Sequence, residues 1–452
     1  MSFYGSLYRN LLWPTYEKLL GRTTHRLLQR ANQDQWKTSS DILAVQWNEL
    51  QKLLHHAYTR TAWYHERIQE AGRAPDRICR REDFQHLPPL TKDDIRAHRE
   101  QMLADSFRDR AYEHRTGGST GTPLQFHLHR GTYEWRLAVS MRGYSWAGCE
   151  DGDRQFYVWG QPIGTPPWKQ HLKTRLFNAT LRRRIFSSFH FSPSQMTVCV
   201  REINFFHPAT IIGYTNALYL LARHILDNNL SVVRPQAIIT AAEGVNPIQR
   251  ALIEEAFGAS VFASYGSREF MLIAMECEQH RGLHISADNL LVEVVRPDGR
   301  DAADGEVGEI LVTDLHNYAM PFIRYKIGDM GVLSTRACPC GRGLPLLERV
   351  EGRILDVIRT PDGRTVPGEF FPHLLKEFSA ICQFQVIQKT LEHLQIKLVL
   401  TDGDATTQLD QLRQEIRTTL GPAIHVELEL VTQIPQTASG KFRVTVSELN
   451  QT

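Results

Sequence analysis

Residues 116–123 form a short stretch rich in glycine and hydroxyl side chains, Thr-Gly-Gly-Ser-Thr-Gly-Thr-Pro. Glycines let the backbone curl so that several N–H groups point at one anion, because no Cβ atom blocks the approach. The stretch lacks the Gly-Lys-Ser/Thr ending of the common phosphate-binding loop. It therefore predicts a phosphate loop whose positive charge comes from elsewhere in the chain. The loop residues that we expect to bind phosphate are Thr116, Gly117, Gly118, Ser119, Thr120, Gly121 and Thr122.

Four further segments carry side chains that could complete a phosphate site, although each alone occurs by chance in many chains. Ser-Tyr-Gly-Ser-Arg-Glu ends at Glu269, after an apolar stretch, where a carboxylate can hold Mg²⁺ against phosphate oxygens. Tyr-Lys-Ile-Gly-Asp ends at Asp329, whose carboxylate suits a ribose diol. Glu-Gly-Arg ends at Arg353, and a turn of sequence Pro-Gln-Thr-Ala-Ser-Gly-Lys ends at Lys441. A lone lysine on a turn is usually only solvated, but Lys441 is our candidate for the missing cation.

Cysteine and histidine side chains suggest a second kind of site. Cys338 and Cys340 form a tight pair, and Cys277 lies upstream with His280 and His284. Three thiolates and one imidazole suit tetrahedral Zn²⁺, and four protein ligands would make the ion structural. Spacing leaves both histidines open as the fourth ligand. The alternative is a set of buried thiols with surface histidines. The seven cysteines of the chain, an odd number, do not predict a disulfide framework.

The elements that must position these residues follow from the apolar pattern. Residues 1 to about 110 show helical spacing, and residues 110–350 alternate short apolar strands with helices, which predicts an α/β fold. From residue 353 a compact α+β module begins, with a hairpin signal at Pro-Asp-Gly-Arg. We therefore predict a large multi-layer α/β domain with a helical N-terminus, residues 1–352, and a small C-terminal domain, residues 353–452. The predicted strands and helices of the large domain include 155–159, 209–212, 237–240, 261–264, 217–228 and 247–257.

Composition describes an ordinary globular protein. Apolar residues make up 42% of the chain, charged residues 23%, and the net charge is +2, so no basic bias argues for nucleic acid. No apolar run approaches the roughly 18 residues of a membrane span. The N-terminus lacks the continuous apolar core of a signal peptide. We therefore expect a cytoplasmic protein without a transmembrane segment.

Two segments leave room for contact with a membrane surface. The first is an apolar stripe, which is more typical of a helix packed on its own domain than of peripheral membrane contact. The second is the basic run at residues 169–184, for which a solvated surface is the more common structure and acidic-ligand or membrane contact the alternative. The stripe comprises Phe3, Tyr4, Leu7, Tyr8, Leu11, Leu12 and Trp13.

The motifs taken together, in this order and separation, resemble those of the adenylate-forming superfamily: acyl-CoA synthetases, luciferases and peptide-synthetase adenylation domains. The resemblance covers nearly the whole chain. Within the superfamily, Leu-Pro-Pro-Leu-Thr-Lys-Asp-Asp-Ile-Arg at 87–96, Trp-Gly at 159–160 and Gly-Leu-His-Ile at 282–285 resemble the phenylacetate–CoA ligase-like branch. That branch includes relatives found with capsular polysaccharide genes.

The resemblance implies an ATP-dependent, AMP-forming ligase. Such enzymes join a carboxylic acid to ATP, release pyrophosphate, and pass the acyl group from AMP to a nucleophile. CoA is the leading acceptor, which would make the protein an aryl- or acyl-CoA ligase. The alternatives are a ligase that makes an amide or ester in polysaccharide or natural-product biosynthesis, and an inactive homologue that binds zinc and nucleotide. Aromatic residues near Trp159, Tyr214 and 189–192 are candidates for the acid pocket, although packing explains them equally well.

The resemblance also implies roles for single residues. The glycine-rich loop would hold the β- and γ-phosphates, Glu269 the Mg²⁺ ion, Asp329 the ribose hydroxyls, and Arg353 ribose or phosphate oxygens. Lys441 would bridge the carboxylate and the α-phosphate, on a small domain that rotates between the two half-reactions. The branch often shares a Cys…Gly-Leu-His…Cys-x-Cys arrangement, which favours His284 over His280 as the zinc ligand. The residues expected around the adenine and α-phosphate are Ala242, Glu243, Tyr265, Gly266, Ser267 and Arg268.

Two positions depart from the superfamily pattern. Arg268 replaces a hydroxyl residue that would touch the α-phosphate, and a guanidinium can bind the same oxygens bidentately. We therefore expect Arg268 to act with Lys441 and Glu269 in the catalytic step. Leu355 occupies the usual hinge position, one residue before Asp356. Because the hinge governs rotation of the small domain, this second departure concerns the acyl-transfer step more than the adenylation step.

Overall fold

The computed structural model describes most of the chain, and it divides the chain into two compact units. One unit comprises Met1–Ile327 with Val332–Arg349, and the other comprises Gly328–Gly331 with Val350–Thr452. The predicted phosphate loop, the hinge residues Leu355 and Asp356, and Lys441 lie outside the described residues. The described residues are 3–72, 74–115, 124–159, 168–188, 192–353, 358–362, 365–366, 370–375, 378, 380–400, 406–434 and 445–449.

Helices dominate the first hundred residues, as the apolar spacing predicts. The helix Lys92–Met102 begins at Thr91, whose Oγ1 accepts a hydrogen bond from the backbone N–H of Asp94 at 3.1 Å. The side chain of Asp94 accepts from the backbone N–H of Thr91 in return, which completes a capping box. The helices of this region are Phe3–Leu7, Tyr8–Leu12 (a π-helix), Trp13–Leu19, Thr24–Asp34, Ser39–Arg60, Ala62–Glu70, Pro75–Arg77 (3₁₀), Arg81–Gln85, Lys92–Met102 and Asp105–Phe107 (3₁₀).

A mixed sheet of 11 strands organises the rest of the larger unit. One half is parallel, and the other half continues as antiparallel strands from Met271 onward. The α/β prediction is confirmed, and the predicted strands agree with the observed ones to within a few residues. In spatial order the strands are Leu290–Val295, Val307–Asp314, Tyr325–Ser334, Leu346–Arg353, Leu283–Ile285, Met271–Glu276, Ser260–Ser267, Ala237–Ala241, Thr210–Tyr214, Gln155–Trp159 and Arg183–Ser187.

Helices cover the parallel half because their apolar side chains recur at helical spacing. Leu218, Leu221 and Ile225 are buried against strand residues such as Ile211 and Ile238. Each fully buried aliphatic side chain contributes about 1.5–3 kcal/mol relative to exposure, so this layer holds the parallel strands in place. The helices of this part of the chain are Arg130–Trp146, Trp168–Thr180, Pro193–Phe206, Thr215–Asp227 and Pro247–Phe257.

Among the described residues of the larger unit, three arginine–carboxylate pairs are buried. Arg136 pairs with Asp314 at 2.6 Å, and both side chains are almost completely enclosed. Arg142 of the same helix pairs with Asp288 at 2.7 Å. The third pair joins Arg324 and Glu293 at 3.2 Å. A buried charge without a partner is costly, so each pair fixes its helix or loop against the sheet.

The smaller unit contains a four-stranded sheet covered by two helices. Its hairpin forms as the Pro-Asp-Gly-Arg signal predicts, with Ile358 opposite Val366. The sequence pattern did not reveal the last strand, Thr445–Ser447, which pairs in parallel with Ile381–Thr390. The sheet order is His425–Leu430, His393–Leu400, Ile381–Thr390 and Thr445–Ser447; the hairpin strands are Ile358–Arg359 and Thr365–Val366, and the helices are Phe370–Leu375 and Thr406–Leu420.

The N-terminal apolar stripe is only partly packed. Tyr8 and Trp13 are buried and form a small cluster with Leu181. Phe3 is 87% exposed and Leu11 is 57% exposed. The prediction that the stripe packs on its own domain therefore holds for part of it only. Among the described residues, no helix combines the length and apolarity that crossing a membrane requires.

Candidate functional site

The carboxyl ends of the parallel strands bring several of the predicted site residues to one edge of the sheet. Tyr214 ends one strand and lies in register with Ala241, which ends the next. Trp159 ends the strand on the other side, and its ring lies 4.4 Å from that of Tyr214. Ligands of open α/β sheets bind at this edge, where the strands deliver their last side chains. Of the other predicted pocket residues, 189–191 lie outside the described part of the chain.

Ala242 and Glu243 follow directly at this edge. Ala242 has φ of +71°, a left-handed conformation that a non-glycine residue adopts at an energetic cost. The carboxylate of Glu243 accepts a hydrogen bond from the backbone N–H of Asn216 at 3.1 Å. Its carbonyl oxygen accepts from Oγ1 of Thr215 at 2.8 Å. Glu243 thus places a negative charge at the start of the helix Thr215–Asp227. These contacts hold the turn that contains Ala242 in its left-handed conformation.

The hairpin after the next strand carries the predicted catalytic segment. Gly266 is required there because an added Cβ would clash with the carbonyl oxygen of Met271. Ser267 pairs with Met271 to close the hairpin, so Arg268 and Glu269 form its tip. The hydroxyl of Ser267 is buried without a hydrogen-bond partner among the described residues. A buried hydroxyl in that state is suited to receive a ligand or a neighbouring segment.

Glu269 is buried, and a tyrosine holds it in place. Tyr325 donates a hydrogen bond from its hydroxyl to Oε1 of Glu269 at 3.0 Å. Sequence reasoning treated Tyr325 only as the first letter of the Tyr-x-x-Gly-Asp motif and missed this contact. The contact joins two strands 56 positions apart in the sequence, so the local motif carries no signal of it.

Arg268 connects the hairpin to the strand that precedes the predicted phosphate loop. Its Nε donates to the carbonyl oxygen of Arg115 at 3.3 Å. Arg115 ends the strand Tyr112–Arg115, which pairs antiparallel with Gln125–Leu128, so that Arg115 lies opposite Gln125. The two strands that flank the predicted loop in the sequence are thus paired, and Arg115, the last described residue before it, contacts Arg268.

The remaining predicted ligands are placed only in part. Asp329 lies in the strand Tyr325–Ser334, and Arg353 is the last residue of Leu346–Arg353. Both belong to the smaller unit. The structure therefore brings together Tyr265, Gly266, Ser267, Arg268 and Glu269 on one hairpin. It leaves the roles of Asp329, Arg353 and Lys441 as predictions.

The cysteine and histidine residues form one compact cluster. The ligand atoms of Cys277, His284, Cys338 and Cys340 all lie within 4.8 Å of one another. The Sγ atoms of Cys277 and Cys338 are 3.7 Å apart, and Sγ of Cys340 is 3.3 Å from Nε2 of His284. His280 instead pairs with Glu276 at 3.1 Å. The geometry selects His284, the histidine that the family resemblance favours.

The surroundings of the cluster fit a bound metal ion. His284 directs Nδ1 at the carbonyl oxygen of Leu344 at 3.3 Å, which leaves Nε2 facing the thiols. Burial lowers the pKa of His284 to about 4, so the imidazole is neutral, as a metal ligand must be. Burial raises the pKa of Cys277 to about 12, so an ion would have to displace its proton. The donor set of three sulfurs and one nitrogen is that of structural zinc sites.

Arg342 packs beside this cluster, and the sequence pattern did not single it out. Its guanidinium lies 4.9 Å and 5.0 Å from the ring centres of Trp36 and Trp146. It donates to Glu278 and Gln35, each at 3.0 Å. Its backbone N–H points at Sγ of Cys340 over 3.5 Å. The arginine thus connects the Cys-x-Cys turn to the N-terminal helices.

Sequence comparison finds relatives that span nearly the whole chain. Residues 358–448 match the CapK C-terminal domain family. The chain is 24% identical over 423 residues to Protein CapK of Staphylococcus aureus, covering 91% of this chain and 90% of that protein. It is 25% identical over 431 residues to the phenylacetate–coenzyme A ligase of Thermus thermophilus, covering 89% and 95%.

Structural comparison agrees with the sequence comparison. A crystal structure of 2-hydroxyisobutyryl-CoA ligase, in its postadenylation state with an acyl-AMP, superposes with a TM-score of 0.73. That match has 20% sequence identity and covers 92% of both chains. At this identity the likeness shows the fold. The comparisons confirm the resemblance that the motifs indicated, including its CapK and phenylacetate–CoA ligase-like branch.

Proposed function

We propose that this chain, which has the fold of the adenylate-forming ligases, uses ATP to activate a carboxylic acid. In the first step a carboxylate oxygen attacks the α-phosphorus of ATP, the bond to pyrophosphate breaks, and an acyl-AMP forms. In the second step the thiol of CoA attacks the acyl carbon, AMP leaves with the bonding electrons, and the thiol proton passes to solvent. The phenylacetate–coenzyme A ligase relative supports CoA as the acceptor.

One observation supports the proposal most directly: Arg268, at the tip of the hairpin that also carries Ser267 and Glu269, contacts the strand that precedes the glycine-rich segment. Arg268 contacts Arg115, the last residue before that segment. Attack at phosphorus needs positioning and charge neutralisation more than a general base. Residues fixed on a closed hairpin supply that positioning at little entropic cost during the reaction.

We assign roles to the site residues on this basis. The loop residues 116–122 hold the β- and γ-phosphates, and Tyr265 with Ala242 and Glu243 forms the adenine side. Glu269, held by Tyr325, is the carboxylate that would bind Mg²⁺, which neutralises phosphate charge. Asp329 binds the ribose hydroxyls, and Arg353 binds ribose or phosphate oxygens.

Lys441 supplies the cation that the glycine-rich loop lacks. We place the domain boundary between residues 352 and 353, and we propose that the C-terminal domain moves between the two steps. Lys441 then serves adenylation and is withdrawn before acyl transfer.

The cysteine–histidine cluster completes the proposal as a structural zinc site. Its four protein ligands would occupy all four positions of a tetrahedral zinc ion, so no position would be open to substrate. The cluster connects the segment after Met271–Glu276 to the turn before Leu346–Arg353. Zinc would therefore stabilise the part of the sheet that leads to the smaller unit.

A second candidate differs only in the acceptor. The name of Protein CapK, which matches nearly the whole chain, states no acceptor, so a ligase that forms an amide or ester on a nucleophile other than CoA is the second candidate.

Pyrophosphate exchange tests the proposal and separates the candidates. Purified protein is incubated with ATP, Mg²⁺, labelled pyrophosphate and a panel of aryl, fatty, hydroxy and amino acids. We expect one acid class to drive label into ATP, and CoA then to yield a thioester and free AMP. Exchange without any effect of CoA would select the second candidate. No exchange with any acid would contradict both and favour an inactive homologue.

A further inference from the structure

The N-terminal helices expose an apolar face along their length. Gly5, Trp13 and Glu17 are buried, whereas the side chains of Phe3 and Leu7 are exposed. Leu11 is 57% exposed and Leu19 is 80% exposed. An amphipathic helix of a globular protein normally directs such residues at its core. This one directs part of its apolar stripe at its own domain and part away from it.

The helix Trp168–Thr180 shows the same property. The exposed fractions are 50% for Leu172, 61% for Leu176 and 49% for Phe177. Lys173 and Arg175 are exposed beside them. Within the described residues of this helix, none is buried. Apolar side chains on an exposed helix have no packing role in the monomer, so they need a partner.

The helices that carry these two exposed faces meet at their ends in the larger unit. The hydroxyl of Tyr4 donates to the carbonyl oxygen of Thr180 at 2.8 Å. The guanidinium of Arg182 lies 5.4 Å from the centre of the Tyr4 ring. These contacts join the end of one helix to the start of the other. We call Phe3, Leu7, Leu11, Leu172, Leu176 and Phe177 the exposed apolar surface.

The segment that contains the helix Trp168–Thr180 is basic. Residues 168–184 contain six basic side chains and no acidic ones. Arg183 and Arg184 pair with Asp151 and Glu202, but Lys173 and Arg175 form no ion pair within the described residues. Glu17, the single acidic residue among positions 3–22, is buried. Among the described residues, no acidic side chain therefore neutralises Lys173 and Arg175 beside the apolar surface.

We propose that the exposed apolar surface, with Lys173 and Arg175, binds the surface of a bilayer that contains anionic phospholipids. Leucine and phenylalanine side chains enter the boundary between headgroups and acyl chains, while the lysine and arginine contact lipid phosphates. A second copy of the chain fits less well, because it would bring the same uncompensated positive charge to both sides of an interface. A bilayer supplies apolar depth and negative charge together.

Vesicle flotation with the full-length protein tests the proposal. We expect binding to vesicles of phosphatidylcholine mixed with phosphatidylglycerol at low salt, and weak binding to phosphatidylcholine alone. Removing two charges, Lys173→Gln with Arg175→Gln, should lower partitioning on the order of 20- to 30-fold, from about 1 kcal/mol per charge. Leu172→Glu with Leu176→Glu should abolish binding. Leu43→Glu, at a leucine that is 49% exposed on another helix, is the matched control and should bind as the unaltered protein.

Three outcomes would overturn the proposal. The first is no flotation with anionic vesicles, and the second is equal flotation of the Leu172→Glu/Leu176→Glu variant. The third combines two results: the unaltered protein sediments as a dimer and does not bind vesicles, whereas this variant sediments as a monomer. That result would assign the surface to contact with a second copy of the chain. Unchanged thermal midpoints of the variants exclude misfolding as the cause. Because neither helix contributes residues to the proposed catalytic site, pyrophosphate exchange in solution should stay unchanged in every variant.

Discussion

Arg268 donates a hydrogen bond from Nε to the carbonyl oxygen of Arg115 over 3.3 Å, across 153 positions of sequence. The contact joins the tip of the Ser267–Met271 hairpin to the last residue before the glycine-rich segment. A hydroxyl side chain at position 268, as in the superfamily pattern, would be too short to span this contact and also reach a phosphate. With arginine at this position, the side chain also holds Arg115, the residue that precedes the glycine-rich segment.

Replacing Arg268 should weaken the use of ATP more than the stability of the fold. Arg268→Ala removes a hydrogen bond from a charged donor, worth about 1.5–3 kcal/mol, so KM for ATP in pyrophosphate exchange should rise about ten- to a hundredfold. Arg268→Lys should not restore it, because lysine lacks the planar fork. Arg300→Ala, at an exposed arginine of another turn, is the control. An unchanged KM in Arg268→Ala would refute this role.

Lys441→Ala should separate the two half-reactions. We expect adenylation to fall on the order of 10²–10³-fold, the loss typical of removing one group that stabilises transition-state charge. Transfer to CoA from supplied acyl-AMP should survive. The control is Lys389→Ala, which removes a lysine paired with Glu448 in the same unit. Equal loss of both half-reactions would contradict the assignment of the lysine to adenylation.

The two histidines beside the cysteine cluster should differ sharply in zinc content. His284→Asn removes a ligand, so the protein should lose its zinc and its thermal midpoint should fall on the order of 10 °C. His280→Asn removes one partner of Glu276, which Arg250 continues to hold, and should retain zinc. Elemental analysis of protein purified without chelator, with calorimetry, measures both effects. Full zinc occupancy in His284→Asn, or none in the unaltered protein, would argue against the site.

The buried pair of Arg142 and Asp288 should behave differently when broken and when replaced. Arg142→Met leaves a buried carboxylate unpaired and should cost about 3–5 kcal/mol of unfolding free energy. The double variant Arg142→Met/Asp288→Leu should recover most of that loss. The pair already leaves Nε and Nη2 of Arg142 and Oδ1 of Asp288 without partners among the described residues. Urea unfolding of the unaltered protein, Arg142→Met, Asp288→Leu and the double variant measures the coupling free energy of the pair. Additive losses of unfolding free energy would contradict the expectation.

Acid should destabilise the larger unit partly through His316. Burial lowers the pKa of this imidazole, which stacks on Trp135 at 4.3 Å and lies 3.0 Å from the carbonyl oxygen of Asp288. The unfolded chain binds the proton more readily, so this contribution is complete above about pH 6.5 and is lost as the pH falls below that value. Urea midpoints from pH 8 to pH 5 should therefore depend less on pH in His316→Gln. His65→Gln, at an exposed histidine, should keep the full dependence.

Local signals in the sequence were sufficient for most elements of the fold. The alternation of apolar stretches with helical segments predicts the strands that end at Trp159 and Ala241, because each is a short apolar run and is mostly or fully buried. The cap at Thr91 is a local arrangement of one hydroxyl and one carboxylate three residues apart. Such features need no knowledge of distant contacts, so single-sequence reasoning finds them.

Contacts between distant residues could not be read from the sequence. Nothing in the spacing indicates that Tyr325 holds Glu269 or that Arg268 reaches Arg115, because both contacts depend on how strands register in space. The strand Thr445–Ser447 is too short to show periodicity and exists only through its pairing with Ile381–Thr390. Residues alone also left His280 and His284 equivalent, and only the course of the chain separates them.

The pairing of Thr445–Ser447 has a consequence for the lysine that precedes it. Thr445 is four positions after Lys441, so their Cα atoms can be no more than about 14 Å apart. The lysine is thus tethered to the edge of a folded sheet, and its local concentration is set by where that sheet is held. A substitution that unpaired this strand would lower the local concentration of the Lys441 ammonium group without changing the lysine. Its effect on adenylation should therefore resemble that of Lys441→Ala.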